Sequence, residues 1–294
     1  IQAREGMTDQ ATIALVTGAS RGAGRGIAIA LGRRGCTVYV TGRSQQAGDH
    51  ALPGTIFDTA RAVTEAGGKG VAVACDHSDD EQVAGLYNRI LADESRIDLL
   101  VNNAAAIHDE LTQAGEFWEK PLKLASLIDV GLRSGYVASW HAARAMAERG
   151  HGLIVFTSAS GAAHYSLGPA YGAHKIGMDK MAFDMATDFR HAGVSVAAVS
   201  VWMGALLTDR LKAVIASDPI RFGHIEGHCE TPEFTGDVIW HLYNDPDLAD
   251  LSGRTLVGAG IARKYGLTDG GRVPPTAEEL HGVEPLVFHS AVIR

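Results

Sequence analysis

The chain is 294 residues long, 46% hydrophobic and 20% charged, with a formal net charge of −8, which is enough to bury the core of one large α/β domain. That acidic balance, with no basic run, argues against nucleic acid or an anionic membrane surface as the main partner. Cys36, Cys75 and Cys229 lack CxxC spacing, which argues against a disulfide framework or zinc ribbon and points to a reducing cytoplasm.

No apolar stretch reaches the roughly 20 residues needed to cross a bilayer, and the opening IQAREGMTDQ has no signal-peptide core, so a soluble protein is expected. Met7 reads as the native start and residues 1–6 as an added remnant. One domain is therefore expected over 7–294, with a C-terminal extension from about 260.

In chain order, a buried strand is predicted near 12–17, followed by the turn TGASRGAG and a helix. Gly18, Gly22 and Gly24 let the backbone turn tightly and approach a pyrophosphate, which the free amides and positive end of the helix would stabilise. Ser20 and Arg21 lie in the same turn and join the candidate cofactor contacts. The second strand, near 36–41, ends in VYVTGRS. A carboxylate there would bind a ribose 2′-hydroxyl; here Gly42 and Arg43 stand instead, so Arg43, helped by Arg21, suits a 2′-phosphate.

A loop at 44–54 and a helix near 57–66 follow, then strands near 70–75, 97–101, 152–157, 194–200 and 254–257, with long helices near 121–148 and 169–191. This alternation predicts a Rossmann-like, doubly wound parallel sheet of about seven strands with helices on both faces. Ligand would bind beyond the carboxyl ends of the strands, where Gly18, Arg43, Asp76, Asn103, Ser158 and Gly204 fall.

The stretch YGAHK holds the chemistry. Tyr171 and Lys175 lie one helical turn apart, so the ammonium can lower the phenol pKa, and Ser158 thirteen residues upstream adds a hydroxyl. Ser160 competes for that role, but the spacing and the following Gly161 favour Ser158. The segment HIEGHCE places His224 and His228 four apart beside Glu226, Cys229 and Glu230, which suggests a metal-dependent hydrolase as one alternative. A solvated substrate lid is preferred there, because Gly223 and Gly227 spoil the helix, and no metal ligand is assigned.

Taken together, TGxxxGxG at Thr17, Gly18, Gly22 and Gly24, YxxxK at Tyr171 and Lys175, NNAAA at 102–106 and MGALLT at 203–208 resemble the short-chain dehydrogenase/reductase family. The stretches VGLRSGY, VSVWMG and IARKYGLTDGGR narrow the resemblance to one subgroup. It implies that Asp76 and His77 lie beside an adenine and Asn103 with Ala104 beside a ribose. By the same resemblance Gly204, Leu206 and Thr208 hold the nicotinamide end, with Met203 replacing the usual proline. NADP(H) is the preferred cofactor, with NAD(H) the alternative.

The implied reaction is hydride exchange between the nicotinamide and a carbonyl or secondary alcohol. Tyr171 is the expected general acid/base, Ser158 holds the substrate oxygen and Lys175 stabilises the tyrosinate. Gly131 departs from the pattern: an asparagine often stands there and supports a water that relays protons, whereas glycine leaves room for a water or for close packing. That departure motivates the other alternative, a cofactor-binding scaffold or sensor with little turnover. Phe222, His224, Ile225, Trp202 and Leu207 suggest an apolar carbonyl substrate, with His164 and Tyr165 as further candidate contacts. The long helices imply a homodimer or homotetramer by resemblance.

Overall fold

The computed structural model describes residues 10–293, so the start expected at Met7 lies outside the described residues. Seven short strands form one all-parallel sheet: β1 (Ile13–Val16), β2 (Thr37–Gly42), β3 (Lys69–Ala74), β4 (Leu99–Asn102), β5 (Gly152–Ser158), β6 (Val196–Trp202) and β7 (Thr255–Val257). Their spatial order is β3-β2-β1-β4-β5-β6-β7. In β1, Ala14 pairs with Val38 on one side and Leu99 on the other. The order reverses between β1 and β4, which opens a crevice beyond their carboxyl ends.

Both sheet faces are covered, which is why β1, β4 and β5 are buried at every residue. One core joins alternate strand residues to α1 (Gly22–Gly32), α2 (Ile56–Glu65) and α8 (Phe234–Tyr243). The opposite core gathers α3 (Asp80–Glu94), α4 (Ser134–Arg149) and α5 (Pro169–Ala192) around Ile154 and Phe156. Local sequence sets the helix starts: Thr55 caps α2 through Asp58, and Asp79 caps α3 through Glu81 and Gln82. Among the described residues no helix is long and apolar enough to cross a membrane.

The helix expected near 121–148 is broken. After a 3₁₀ turn at Leu122–Ala125, the backbone leaves helical geometry at Val130 (φ −105°, ψ 90°) and Gly131 (φ 152°, ψ −74°), and α4 begins only at Ser134. The Ala106 N–H donates to the Val130 carbonyl at 2.8 Å and the Gly131 N–H to Ser134 Oγ at 3.0 Å, so the freed backbone groups are paired outside a helical ladder.

Beyond β6 lie α6 (Asp209–Ser217), α7 (Pro219–Phe222) and a 3₁₀ stretch at Gly223–His228, together forming a flap over the strand ends. The C-terminal part holds α9 (Leu248–Leu251) before β7, then α10 (Gly258–Lys264) and α11 (Ala277–His281). Its segment beyond α10 packs back on the same chain. Phe288 lies tilted against Phe183 of α5 with ring centroids 5.4 Å apart, and His281 meets His164 at 5.6 Å.

Candidate active site

The turn from β1 into α1 is pressed against the end of β4. Gly18 has φ +64°, and a Cβ there would lie 2.6 Å from the Ala104 Cα, so only glycine satisfies both the conformation and the clearance. At Gly24 a Cβ would lie 2.5 Å from Asn103 Nδ2. Asn103 sews the two loops together by donating to the carbonyls of Thr17 (2.9 Å) and Gly18 (3.1 Å), while Thr17 Oγ1 accepts from the Asn103 and Ala104 amides. Asn102 points the other way, donating to Ser139 Oγ inside the core. Helix α1 starts after Arg21 with no side-chain cap, which leaves its first amides available to an anion.

This turn floors a cleft of about 800 Å³. Gly18, Ser20, Arg21, Gly22 and Gly24 line it, as do Arg43, Asp76, His77, Asn103, Ala104 and Thr208. These residues, expected along the whole chain, are therefore brought together. The fit to a dinucleotide rests on a glycine floor without side chains, uncapped amides, and charged walls.

The two arginines differ. Arg21 is committed to the 44–54 loop, donating to Pro53 O, Ser44 Oγ and Gly54 O, and burial lowers its pKa, with Arg210 and Arg43 adding to the effect. Arg43 is the freer one, its side chain 71% exposed and 3.8 Å from Asp76. His77 turns inward to bond Thr41 Oγ1 at 2.8 Å, and burial lowers its pKa to about 4. Across the mouth of the cleft Arg210 of α6 pairs with Asp109, from the loop after β4, and Arg221 of α7 donates to Thr112 O.

Ser158, Tyr171 and Lys175 are not among the residues lining this cleft, nor are Gly204 and Leu206; Tyr171 packs against the same small apolar cluster as Ala105 and Ile107, which do line it. Val130 lines it, and its neighbour Gly131 touches His174, which precedes Lys175 in α5. Lys175 Nζ lies 5.6 Å from the Tyr171 ring centroid and donates to Thr157 O at 2.9 Å. Burial lowers the ammonium pKa to about 8, with Asp179 opposing.

Tyr171 is half-buried against Gly161, where a Cβ would lie 2.7 Å from its ring. Burial raises its pKa to about 12, so the lowering expected from Lys175 does not prevail. Ser158 is wholly buried and donates to Lys175 O at 3.2 Å, so its hydroxyl points along α5. Ser160 bonds His164 at 3.1 Å.

Three neighbours escape a motif reading. Asp179, one turn beyond Lys175, is buried and accepts from Ser200 Oγ (2.5 Å) and Trp202 Nε1 (2.8 Å). The i, i+4 spacing Tyr171, Lys175, Asp179 carries that signal. Trp202 is thereby corrected from a pocket rim to a buried support, 1% exposed. Tyr165, 81% exposed, faces solvent.

His174 fills the space beside Gly131: a Cβ on that glycine would lie 2.7 Å from its Nε2. The missing side chain is thus replaced by close packing against an imidazole whose pKa burial and Lys175 lower to about 2. The third neighbour, Glu230, sits behind Gly204. Among the described residues no three His, Cys, Asp or Glu side chains converge as a metal cage, the 224–230 segment included.

The short chain dehydrogenase family model matches residues 12–218, from the first strand through the glycine turn and YxxxK to the flap. The chain belongs to the short-chain dehydrogenase/reductase family. It is a nicotinamide-dependent oxidoreductase by that membership. The chain is 39% identical to human dehydrogenase/reductase SDR family member 1 over 272 residues, covering 87% of this chain and 82% of that protein, and 37% identical to the mouse protein of the same name over 269 residues, with the same shares covered. A short chain dehydrogenase from Mycobacterium thermoresistibile superposes with a TM-score of 0.72 at 26% identity, covering 88% of each chain. A subgroup resemblance carried by VGLRSGY and the C-terminal IARKYGLTDGGR agrees with the first of these relatives.

Because Gly131 and His174 share one space, Gly131→Ala is expected to destabilise the protein by about 1–3 kcal/mol, the usual effect of overpacking. A His174→Ala change in the same chain should recover part of that loss. Urea midpoints of the two single variants and the double variant measure the coupling.

Proposed function

We propose that the protein is an NADP(H)-dependent reductase of apolar carbonyl compounds, working in reverse as a secondary-alcohol dehydrogenase. The observation that carries this reading is the approach of Lys175 to within 5.6 Å of the Tyr171 ring, which packs against the same apolar cluster as Ala105 and Ile107 of the glycine-floored cleft. When bound, the reduced nicotinamide supplies hydride to the carbonyl carbon.

The chain's own residues do the rest. The glycine turn and α1 amides hold the diphosphate, Asp76, Asn103 and Ala104 flank the adenosine half, and Gly204, Leu206 and Thr208 border the nicotinamide half. Arg43 supports NADP(H), since it stands exposed where a carboxylate would otherwise select against a 2′-phosphate. Tyr171 carries the proton for the substrate oxygen: a phenol held near 12 is neutral at ordinary pH and ready to donate. Lys175, anchored by Thr157 O, places a positive charge beside the phenolate left behind. Ser158 orders the Lys175 turn through its carbonyl and keeps lone pairs for the phenol or substrate.

A second reading, a cofactor-binding protein with little turnover, is favoured by the buried Ser158 hydroxyl, which is engaged by Lys175 O and Asp179. Single-turnover mixing with NADPH and a carbonyl panel separates the two. Exposed Tyr136 and Trp140 on α4 support self-association through that helix.

Tyr171→Phe is expected to lower NADPH-dependent carbonyl reduction by at least about 100-fold with the fold unchanged, read as loss of reduced-nicotinamide absorbance. Equal rates in both proteins would remove the assignment. Arg43→Ala should weaken NADPH binding by roughly 10- to 100-fold and leave NADH binding alone, as expected for a lost charge-assisted contact. Since the phenol, raised to about 12, must ionise before it accepts a proton, alcohol oxidation should still be rising with pH at about 9 while carbonyl reduction does not. Paired pH–rate profiles test the sign.

A further inference from the structure

Glu230 is 2% exposed, yet it is an acid. Its Oε2 accepts from the Gly204 N–H at 3.1 Å. Its own N–H donates to Ala205 O at 2.7 Å, and its carbonyl accepts from the Leu207 N–H at 2.9 Å, so residue 230 forms a short parallel bridge with Leu206. Oε1 has no partner and faces Gly204, where a Cβ would lie 2.7 Å from it. Gly204 can therefore carry no side chain while this carboxyl is in place.

The other side of the bridge is held by the C-terminal extension. Thr231 donates through its N–H and its Oγ1 to Asp269, at 2.6 Å each, and Arg272 donates to the carbonyls of Gly227 and Cys229. Three consecutive residues, 229–231, thus tie the tail to the 204–207 loop.

We propose that Glu230 is a positioning residue for the cofactor: it fixes the 204–207 backbone, which takes the nicotinamide end, and passes to it the anchorage of the C-terminal extension. This rests on the functional reading above, which assigns that loop. Geometry alone makes the arrangement sensitive to charge, because an ionised carboxylate would leave Oε1 buried and unpaired behind the loop. Burial raises the Glu230 pKa to about 7. Asp269 pushes in the same direction, while the Gly204 N–H and Arg272 oppose it. The neutral, loop-holding form is thus present below that value and is lost as pH rises through it.

The test uses the full chain and three probes: NADPH, followed by its fluorescence at about pH 6 and 8.5, adenosine 2′,5′-bisphosphate, followed by calorimetry, and thermal melting without ligand. Glu230→Ala should weaken NADPH roughly tenfold or more and leave the bisphosphate, which lacks the nicotinamide, unchanged. Glu230→Gln, a neutral stand-in for the protonated acid, should bind NADPH like the parent at the lower pH and lose less affinity at the higher one.

If Glu230→Ala weakens both ligands alike, or neither, the inference is overturned and the functional reading stands. Should that variant not fold, the pH comparison of Glu230→Gln with the parent decides alone, and identical pH dependence overturns the proposal. A parent protein that binds the bisphosphate but gains nothing from the nicotinamide half overturns both.

Discussion

A single ammonium group held out of water sets the terms for the rest of the molecule. Lys175 Nζ rests on Thr157 O at the end of β5, and burial brings its pKa down to about 8. Keeping a charge there requires that each group behind it be neutral, paired or opposite in sign. Asp179, fixed by Ser200 and Trp202, supplies the opposite charge, and His174 is held neutral against Gly131. The long helix α5 carries all three side chains, so the sheet positions the amine and one helix face answers its demands.

The broken helix before α4 belongs to the same account. Its φ of 152° at Gly131 is open to glycine and strained for other residues, and it lets the His174 ring lie where a side chain would otherwise project. The kink also delivers Val130 to the cleft lining and gives Ala106 an acceptor. A local departure from helical geometry thus joins the glycine-floored cleft to the helix that carries the tyrosine and lysine.

Much of this was legible in the chain itself. The seven strands appear within a few residues of where their apolar runs fall, because strands buried on both faces must be continuously hydrophobic. The packing of the first turn against the end of β4 was legible because a close approach of backbones leaves a glycine signature at Gly18 and Gly24. Side-chain direction was not. Trp202 looks like a rim residue on the page yet turns inward to Asp179, and Ser158 turns toward Lys175 O. Periodicity cannot reveal that residues 43 places apart, His174 and Gly131, divide one volume. Nor can it show that Glu230 faces Gly204, since both lie in irregular segments whose path is set by tertiary contacts.

The bridge of Arg210 to Asp109 joins the cleft lining to the loop after β4, with the aspartate 84% exposed. Attraction to a carboxylate so open to water weakens as mobile ions crowd around it, over a screening distance of about 8 Å at physiological ionic strength. The contact at this edge of the cleft is therefore responsive to dissolved salt, whereas the amine deep inside, shielded by protein, hardly notices it.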